Sequence, residues 1–66
     1  MNDVTYFDFD AMRVRFADRL TGYDNAMVMH LLGYESDKEL ELLRPLCTNR
    51  VVAIIDLILS DRSKKS

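Results

Sequence analysis

The sequence predicts an all-α fold, a small bundle of about four short helices that forms a single domain over residues 1–66 and assembles as a dimer or higher oligomer. Apolar residues recur at intervals of three and four positions, as they do along one side of an α-helix. Polar residues suited to N-caps precede several of these segments. Only two glycines and one proline occur, which leaves few positions for the tight turns of β-hairpins. These three observations favour helices throughout.

The first helix is predicted from about Asp8 to Leu20, preceded by an N-terminal arm of residues 1–7. Its apolar residues fall at i, i+3, i+7 and i+11, which places them on one stripe of a helix. This stripe comprises Phe9, Met12, Phe16 and Leu20. The pattern breaks at Gly22, so we expect the helix to end before that residue.

The second helix should start at Asp24 or Asn25, because both side chains make suitable N-caps. It should stop at Gly33, for which we predict a left-handed C′ conformation, because glycine adopts that conformation without strain. Six of the seven residues in the segment AMVMHLL are apolar. We therefore expect this helix to be covered on most sides, with Met29, like Phe16 of the first helix, in the core.

The third helix has a clear start signal in the sequence SDKE, which fits the capping box. In this motif the Ser36 hydroxyl accepts a hydrogen bond from the Glu39 amide, and the Glu39 carboxylate reaches back to the Ser36 amide. Proline disfavours helical geometry in the residue before it. Pro45 should therefore end the third helix at about Leu43 or Arg44.

The fourth helix should open at Thr48 or Asn49 and run to about Ser60. Its segment VVAIIDLIL is rich in β-branched residues, but the preceding cap and a length beyond ten residues favour a helix over a strand. This helix is apolar on almost all sides, so three short neighbours cannot cover it and part of it should lie between subunits. The predicted helical core spans residues 8–60, and residues 61–66 form a frayed basic tail.

Self-association or a partner chain is also expected from the size of the domain. A domain of this length buries only about 60% of the surface that its unfolded chain exposes, so it is marginally stable without added support. The single cysteine, Cys47, excludes an internal disulfide. The remaining source of support is a homodimer, a higher oligomer or another protein. We predict an interface that contains Phe7, Phe9, Met12, Val52, Ile55 and Leu59.

Three arginines of the first helix are the candidate nucleic-acid contacts: Arg13, Arg15 and Arg19. Arg15 and Arg19 are four positions apart and share a helix face, and phosphate contacts require little more than this. However, the net charge of −2 argues against a stand-alone nucleic-acid binder. Pairing with a nearby acid such as Asp18 is the commoner role of exposed helix arginines.

The sequence carries no set of residues that catalysis or metal binding would need. His30 has no neighbouring nucleophile or orienting group, so we expect a packed or half-exposed side chain. One histidine and one cysteine cannot make a four-ligand zinc site. We therefore expect no catalytic residue, cofactor, metal or small-molecule substrate, and no enzymatic activity. The acidic N-terminus does not resemble a signal peptide and the apolar runs are too short to span a bilayer, so we predict a cytoplasmic protein without membrane contact.

The segment RLTGYDNAMVMHLLGY, residues 19–34, resembles the N-terminal half of the flagellar transcriptional activator FlhD family. The residues that carry the resemblance stand at fixed offsets without a gap: Arg19, Leu20, Asp24, Ala26, Met29, Leu32 and Gly33. A weaker similarity extends it to roughly residues 12–60. The order of a helix, a glycine and two further helices is shared as well.

The resemblance implies an all-helical transcriptional co-regulator that forms dimers. It also implies a zinc-containing FlhC-like partner subunit, in a complex that binds DNA and activates bacterial or phage promoters. Typical family members continue past the point where this chain ends, into a region proposed to touch DNA. The cysteine that links subunits in the family corresponds to a position near Asp61, where this chain has none. The resemblance therefore predicts dimerisation and partner binding here, but neither a disulfide nor a direct DNA contact.

Two other functions remain open from the sequence. The turn at Gly33 followed by the segment SDKELELL could form a stand-alone helix-turn-helix DNA binder. Three acids expected to face outward on that helix, Asp37, Glu39 and Glu41, would oppose phosphate contacts. The third possibility is a small phage- or plasmid-encoded protein that inhibits a host protein by binding it.

Overall fold

The computed structural model describes residues 8–65, which form four α-helices and a single 3₁₀ turn, with no strand among them. The predicted all-α fold class is therefore confirmed. The predicted N-terminal arm and its interface residue Phe7 lie outside the described residues. In chain order the elements are α1 (Phe9–Leu20), α2 (Asn25–Leu32), α3 (Asp37–Leu43), the 3₁₀ turn (Arg44–Leu46) and α4 (Asn49–Lys65).

The first three helices each begin at a side-chain cap. In every case an oxygen of the capping side chain accepts a hydrogen bond from the backbone amide three residues later, which satisfies one of the unpaired amides of the first turn. The bonds join Asp8 to Ala11 at 3.1 Å, Asp24 to Met27 at 2.9 Å and Ser36 to Glu39 at 3.1 Å. Such caps typically stabilise a helix by about 1 kcal/mol.

One local prediction about a helix end is wrong, and another is confirmed only in part. Gly33 follows α2 with φ −62° and ψ −19°, so it continues the right-handed turn instead of adopting a left-handed conformation. Its amide donates to the Met29 carbonyl at 3.0 Å, as a helical residue would. The capping box is only half formed, because the Glu39 carboxylate accepts hydrogen bonds from Arg13 of α1.

The fourth helix runs to Lys65 instead of ending near Ser60. The prediction of a frayed tail over residues 61–66 is therefore wrong as far as Lys65. Hydrogen bonds from the last turns of α4 to the segment between α2 and α3 explain why the helix continues. Arg62 donates to Asp37 Oδ1 at 2.7 Å and to a backbone carbonyl in the link between α2 and α3 at 3.1 Å.

The hydrophobic core lies mainly between α2 and α4, with α3 and the end of α1 closing it. Burial of each large apolar side chain contributes about 1.5–3 kcal/mol to folding. Met29 is 41% exposed, contrary to the prediction, because α2 turns Val28 and Leu32 inward instead. The buried cluster consists of Leu20, Val28, Leu32, Leu40, Leu43, Val51, Ile54 and Ile55.

Arg50, at the start of α4, binds the turn that joins α1 to α2. Its guanidinium donates to the Tyr23 carbonyl at 2.9 Å and to the carbonyls of Leu20 and Thr21 at 3.4 Å each. It also donates to Asn25 Oδ1 at 2.5 Å. The carbonyls at the end of a helix lack partners within the helix, so this arginine fixes both the end of α1 and the start of α2.

Asp56, the acid that interrupts the apolar surface of α4, has a partner on the 3₁₀ turn. Arg44 Nε lies 2.9 Å from Asp56 Oδ1, and Arg44 Nη2 lies 3.1 Å from Asp56 Oδ2. The hydrogen bonds to Asp56 raise the pKa of Arg44. Paired donors of this kind match a carboxylate in both charge and geometry, so Asp56 positions α4 against the 3₁₀ turn.

Candidate interaction surface

An open groove of about 540 Å³ runs along α1, and we call it the α1 groove. Helix α1 forms one wall, whereas the link between α2 and α3, together with the first turn of α3, forms the other. The wall residues from α1 include both apolar and cationic side chains, and those from the opposite wall are acidic. The lining residues are Phe9, Met12, Arg13, Arg15, Phe16, Arg19, Glu35 and Glu39.

The apolar lining of the groove follows from the spacing along α1. Phe9, Met12 and Phe16 are three and four positions apart, so they lie on one stripe. The residues that α1 buries completely against the rest of the fold are Ala17 and Leu20, on a neighbouring stripe. Phe9 is consequently 59% exposed and Met12 is 42% exposed, whereas Phe16 packs partly against the core. The groove thus keeps apolar surface in water.

Arg13 joins the two walls of the groove. Its Nε lies 2.6 Å from Glu39 Oε2 and its Nη2 lies 3.2 Å from Glu39 Oε1, while its Nη1 lies 3.0 Å from Asp10. The hydrogen bonds to Glu39 raise the pKa of Arg13. Because carboxylates engage all three of its nitrogens, Arg13 does not present a free guanidinium to a phosphate. This corrects its prediction as a nucleic-acid contact and shows that Glu39 does not face outward.

Arg15 and Arg19 are exposed on the α1 wall, and Glu35 is half-buried on the opposite wall. Among the side chains described for residues 8–64, none of the hydrogen bonds or ion pairs involves these three residues. The two walls therefore carry unpaired charges of opposite sign. The prediction of Arg15 and Arg19 as possible nucleic-acid contacts stays a prediction.

A second, smaller hollow of about 160 Å³ lies on the other flank of α1. Val14, Leu42 and Leu46 contribute exposed apolar side chains to it. Helix α1 is therefore exposed on both sides of the narrow stripe by which it packs. Large exposed apolar patches are typical of sites that bind other macromolecules.

The other predicted interface residues lie on α4 and divide into two groups. Val52 and Leu59 are half-buried, and Leu59 packs against the core cluster. Ile55 is fully buried within the protomer, so it has no surface for a partner and its prediction as an interface residue is wrong. Leu57 was not among the predicted interface residues, but it is the most exposed large apolar side chain described on α4, at 61%. Its position off the inward stripe that includes Ile54 could have indicated this exposure.

The candidate reactive side chains are not brought together. The ring of His30 makes an edge-to-face contact with Tyr34 at a centroid distance of 5.3 Å, and both residues are exposed. Cys47 is half-buried, and burial raises the pKa of its thiol. Among residues 8–65, no three His, Cys, Asp or Glu side chains cluster as a metal site would require. No helix in this part of the chain has the length and apolar character needed to cross a membrane.

Comparison with protein-family models, with curated proteins and with solved structures gives no match for the chain. The FlhD-like pattern is therefore a prediction from sequence alone. Several of the residues that carry the pattern have identifiable roles in this fold. Leu20 and Leu32 belong to the core, Asp24 caps α2, and Arg19 lies in the α1 groove.

Proposed function

We propose that this protein works by binding other protein chains through the α1 groove, as an FlhD-like transcriptional co-regulator in the cytoplasm. The observation that carries the proposal is the apolar surface left open along α1. Phe9 and Met12 are exposed at 59% and 42% and lie outside the core cluster. A surface of this kind gains free energy when a partner removes it from water.

The distribution of charge favours an indirect contact with DNA. The net charge is −2, and Arg13 is already held by Glu39 and Asp10. Only Arg15 and Arg19 of the three candidate arginines are free of described partners, and two cations supply few of the phosphate contacts that non-specific affinity needs. In this proposal DNA is bound mainly by a partner, for which the sequence resemblance suggests an FlhC-like zinc-containing subunit.

The helix-turn-helix alternative has less support from the same structure. Its recognition helix would be α3, which has seven residues and is fixed by ion pairs through Asp37 and Glu39. Lys38 is its single cation. Such a helix has little positive charge to direct at phosphates. The host-protein inhibitor would use the same exposed surface as the co-regulator, so only the identity of the partner separates these two functions.

The test is to purify the tagged chain gently from its native host and identify the stoichiometric companion protein. We expect a zinc-binding subunit, and we expect promoter DNA to shift in a gel with the complex and not with the chain alone. Met12→Asp should abolish recovery of the companion, because it places a charge in the groove. Met29→Asp is the matched control, since Met29 is 41% exposed on α2, outside the groove.

Two results would contradict the proposal. Equal loss of the companion with both methionine variants would show that binding does not use the α1 groove. A companion that is a host enzyme or polymerase subunit, in a complex that shifts no DNA, would replace the co-regulator by the inhibitor.

A further inference from the structure

We infer that the α1 groove holds one short amphipathic helix of a partner protein, with acidic residues along one flank of its apolar stripe and basic residues along the other. This inference rests on the proposed function, since it names the chemistry of the partner segment that fills the same groove. It depends on the backbone of the groove walls, on the apolar strip between them and on their opposite charges.

The backbone of the walls favours a helix over an extended chain as the occupant. The backbone groups of α1 bond within that helix, and the Glu35 amide on the opposite wall already donates to the Leu32 carbonyl at 3.0 Å. An extended peptide along such walls would leave its own amides and carbonyls without protein partners, whereas a helix bonds them internally. The convex surface of a single helix also fills a concave groove.

The apolar strip sets the length and the spacing of the partner segment. Phe9, Met12 and the edge of Phe16 lie between the charged walls and lose contact with water when a helix covers them. The twelve residues of α1 extend about 18 Å, which corresponds to about three turns of a partner helix. Such a helix contacts the strip through large apolar residues at positions i, i+3 or i+4, and i+7.

The charges of the walls determine what flanks this apolar stripe. Arg15 and Arg19 on the α1 wall and Glu35 on the opposite wall have no partner among the described side chains. A uniformly acidic helix is repelled by Glu35, and a uniformly basic one by the two arginines. A helix with acids on one flank and bases on the other complements both walls at once.

The same charges determine the direction in which the helix lies. Turning an amphipathic helix end for end exchanges its two flanks while its apolar stripe still faces the strip. Only one of the two directions therefore places the acids beside Arg15 and Arg19 and the bases beside Glu35. The other direction brings like charges together on both walls, so the groove discriminates against it.

The probe for this inference is a synthetic peptide with leucines at i, i+4 and i+7, glutamates along one flank and lysines along the other. Isolated helices of this length are marginal in water, so a hydrocarbon staple on the outer face keeps the peptide helical. Titration into the isotope-labelled full chain should shift the resonances of α1 and Glu35, with a dissociation constant of about 10–100 μM because the strip is short. A nitroxide at one end of the peptide should broaden the amides of one end of α1 only.

Charge reversal in the protein tests the direction with the same peptide, so that the helicity of the peptide is constant. The pair Arg15→Glu and Arg19→Glu makes both walls acidic, whereas Glu35→Lys makes both basic. Each of these variants should raise the dissociation constant at least about fivefold, because one flank then faces like charge in either direction. All three substitutions together exchange the walls. They should restore the affinity and move the nitroxide broadening to the opposite end of α1.

Lys38→Glu is the matched control, since it reverses a charge at an exposed position of α3 outside the groove. It should leave the dissociation constant unchanged, and circular dichroism should show all variants folded. The inference is overturned if the peptide does not bind at millimolar concentration, if the nitroxide broadens both ends of α1 equally, or if the triple variant stays as weak as the others. An affinity that falls as the chain is concentrated would overturn it too, because a second copy would then fill the groove.

The inference and the proposed function can fail separately. If Met12→Asp abolishes recovery of a DNA-binding companion while the peptide binds without regard to wall charge, the co-regulator stands and the mixed-charge helix does not. If the peptide passes the charge-reversal test but the native companion is a host enzyme and shifts no DNA, the helix site stands and the co-regulator does not.

Discussion

The two sides of this small fold use apolar residues in different ways. Helix α4 contributes Val51, Ile54 and Ile55 to a core shared with α2, and all three are buried. Helix α1 buries only Ala17 and Leu20, although it too carries several large apolar side chains. The difference lies in where the apolar stripe points. On α4 the apolar stripe faces the other helices. On α1 most of the apolar stripe lies beside the residues that pack on the core, and it borders the groove instead.

The two sides also differ in what holds them. The α2–α4 side is held by buried aliphatic side chains, which contribute stability without requiring a fixed geometry. Helix α1 buries Ala17 and Leu20, and arginine hydrogen bonds near its two ends also hold it. Arg13 binds Glu39 near its start, and Arg50 binds the carbonyls near its end. We infer that the α2–α4 side determines whether the chain folds, whereas α1 is attached to it as the surface that partners contact.

The largest expected effect is from truncation within the α2–α4 core. Leu32→Ala should destabilise the fold by about 2–5 kcal/mol, because it removes a fully buried side chain and leaves a cavity. In a domain of this size such a loss leaves much of the population unfolded. Urea unfolding followed by circular dichroism measures the change.

The same kind of truncation at exposed apolar positions should have little effect on stability. Met12→Ala on α1 and Leu57→Ala on α4 remove side chains that are 42% and 61% exposed, and each should cost less than about 1 kcal/mol. A Met12→Ala variant as unstable as Leu32→Ala would show that α1 belongs to the core, and the distinction between the two sides would no longer hold.

The positions of the helices could be predicted from local sequence, because caps and apolar spacing act within a few residues. Asp24 and Ser36 begin their helices as expected. The hydrogen bonds of the arginines could not be predicted, because they join residues far apart in the chain. Arg13 and Glu39 are separated by 26 positions, and no local pattern specifies their contact.

The errors at the last helix have the same origin. A polar segment at the end of a chain is usually frayed, but Arg62 meets Asp37 across 25 positions and extends the helix. Exposed apolar residues on α1 were expected from the apolar excess of the chain. The acidic wall at Glu35 was not expected, because it depends on how the link between α2 and α3 packs beside α1.

A smaller effect should come from the tie between α1 and α3. Glu39→Gln weakens the hydrogen bonds that Arg13 makes across the groove, so α1 should separate from α3 more often. Hydrogen exchange should show faster exchange of α1 amides, while amides of α4 keep their protection, because the core is unchanged.

The control is Asp10→Asn, which removes the other carboxylate bound by Arg13. This exposed pair lies within α1 itself, three positions apart, and exposed pairs contribute little to stability. We expect exchange in α1 to be unchanged. If Glu39→Gln instead accelerates exchange in α1 and α4 equally, the two sides open as one unit and α1 is not separately attached.

The smallest effect concerns Cys47, which lies at the junction of the two sides, between the 3₁₀ turn and α4. It packs against the core cluster, and burial raises the pKa of its thiol above the ordinary value of 9.0. The thiolate is the reactive form, so the folded protein should react slowly with iodoacetamide at neutral pH. The matched comparison is a chain with both Cys47→Ser and Ser60→Cys, whose thiol is exposed on α4; it should react several times faster.

The same shift gives the sign of the pH dependence. Below the ordinary thiol pKa both the folded and the unfolded chain hold the proton, so this thiol adds no pH dependence there. As the pH rises through that value the unfolded chain ionises first, and the free energy of unfolding falls. Cys47→Ser should remove this alkaline loss, measured as the difference between urea midpoints of the two chains. An alkylation rate as fast as that of the exposed thiol would mean that Cys47 is freely accessible, and that the start of α4 opens as readily as α1.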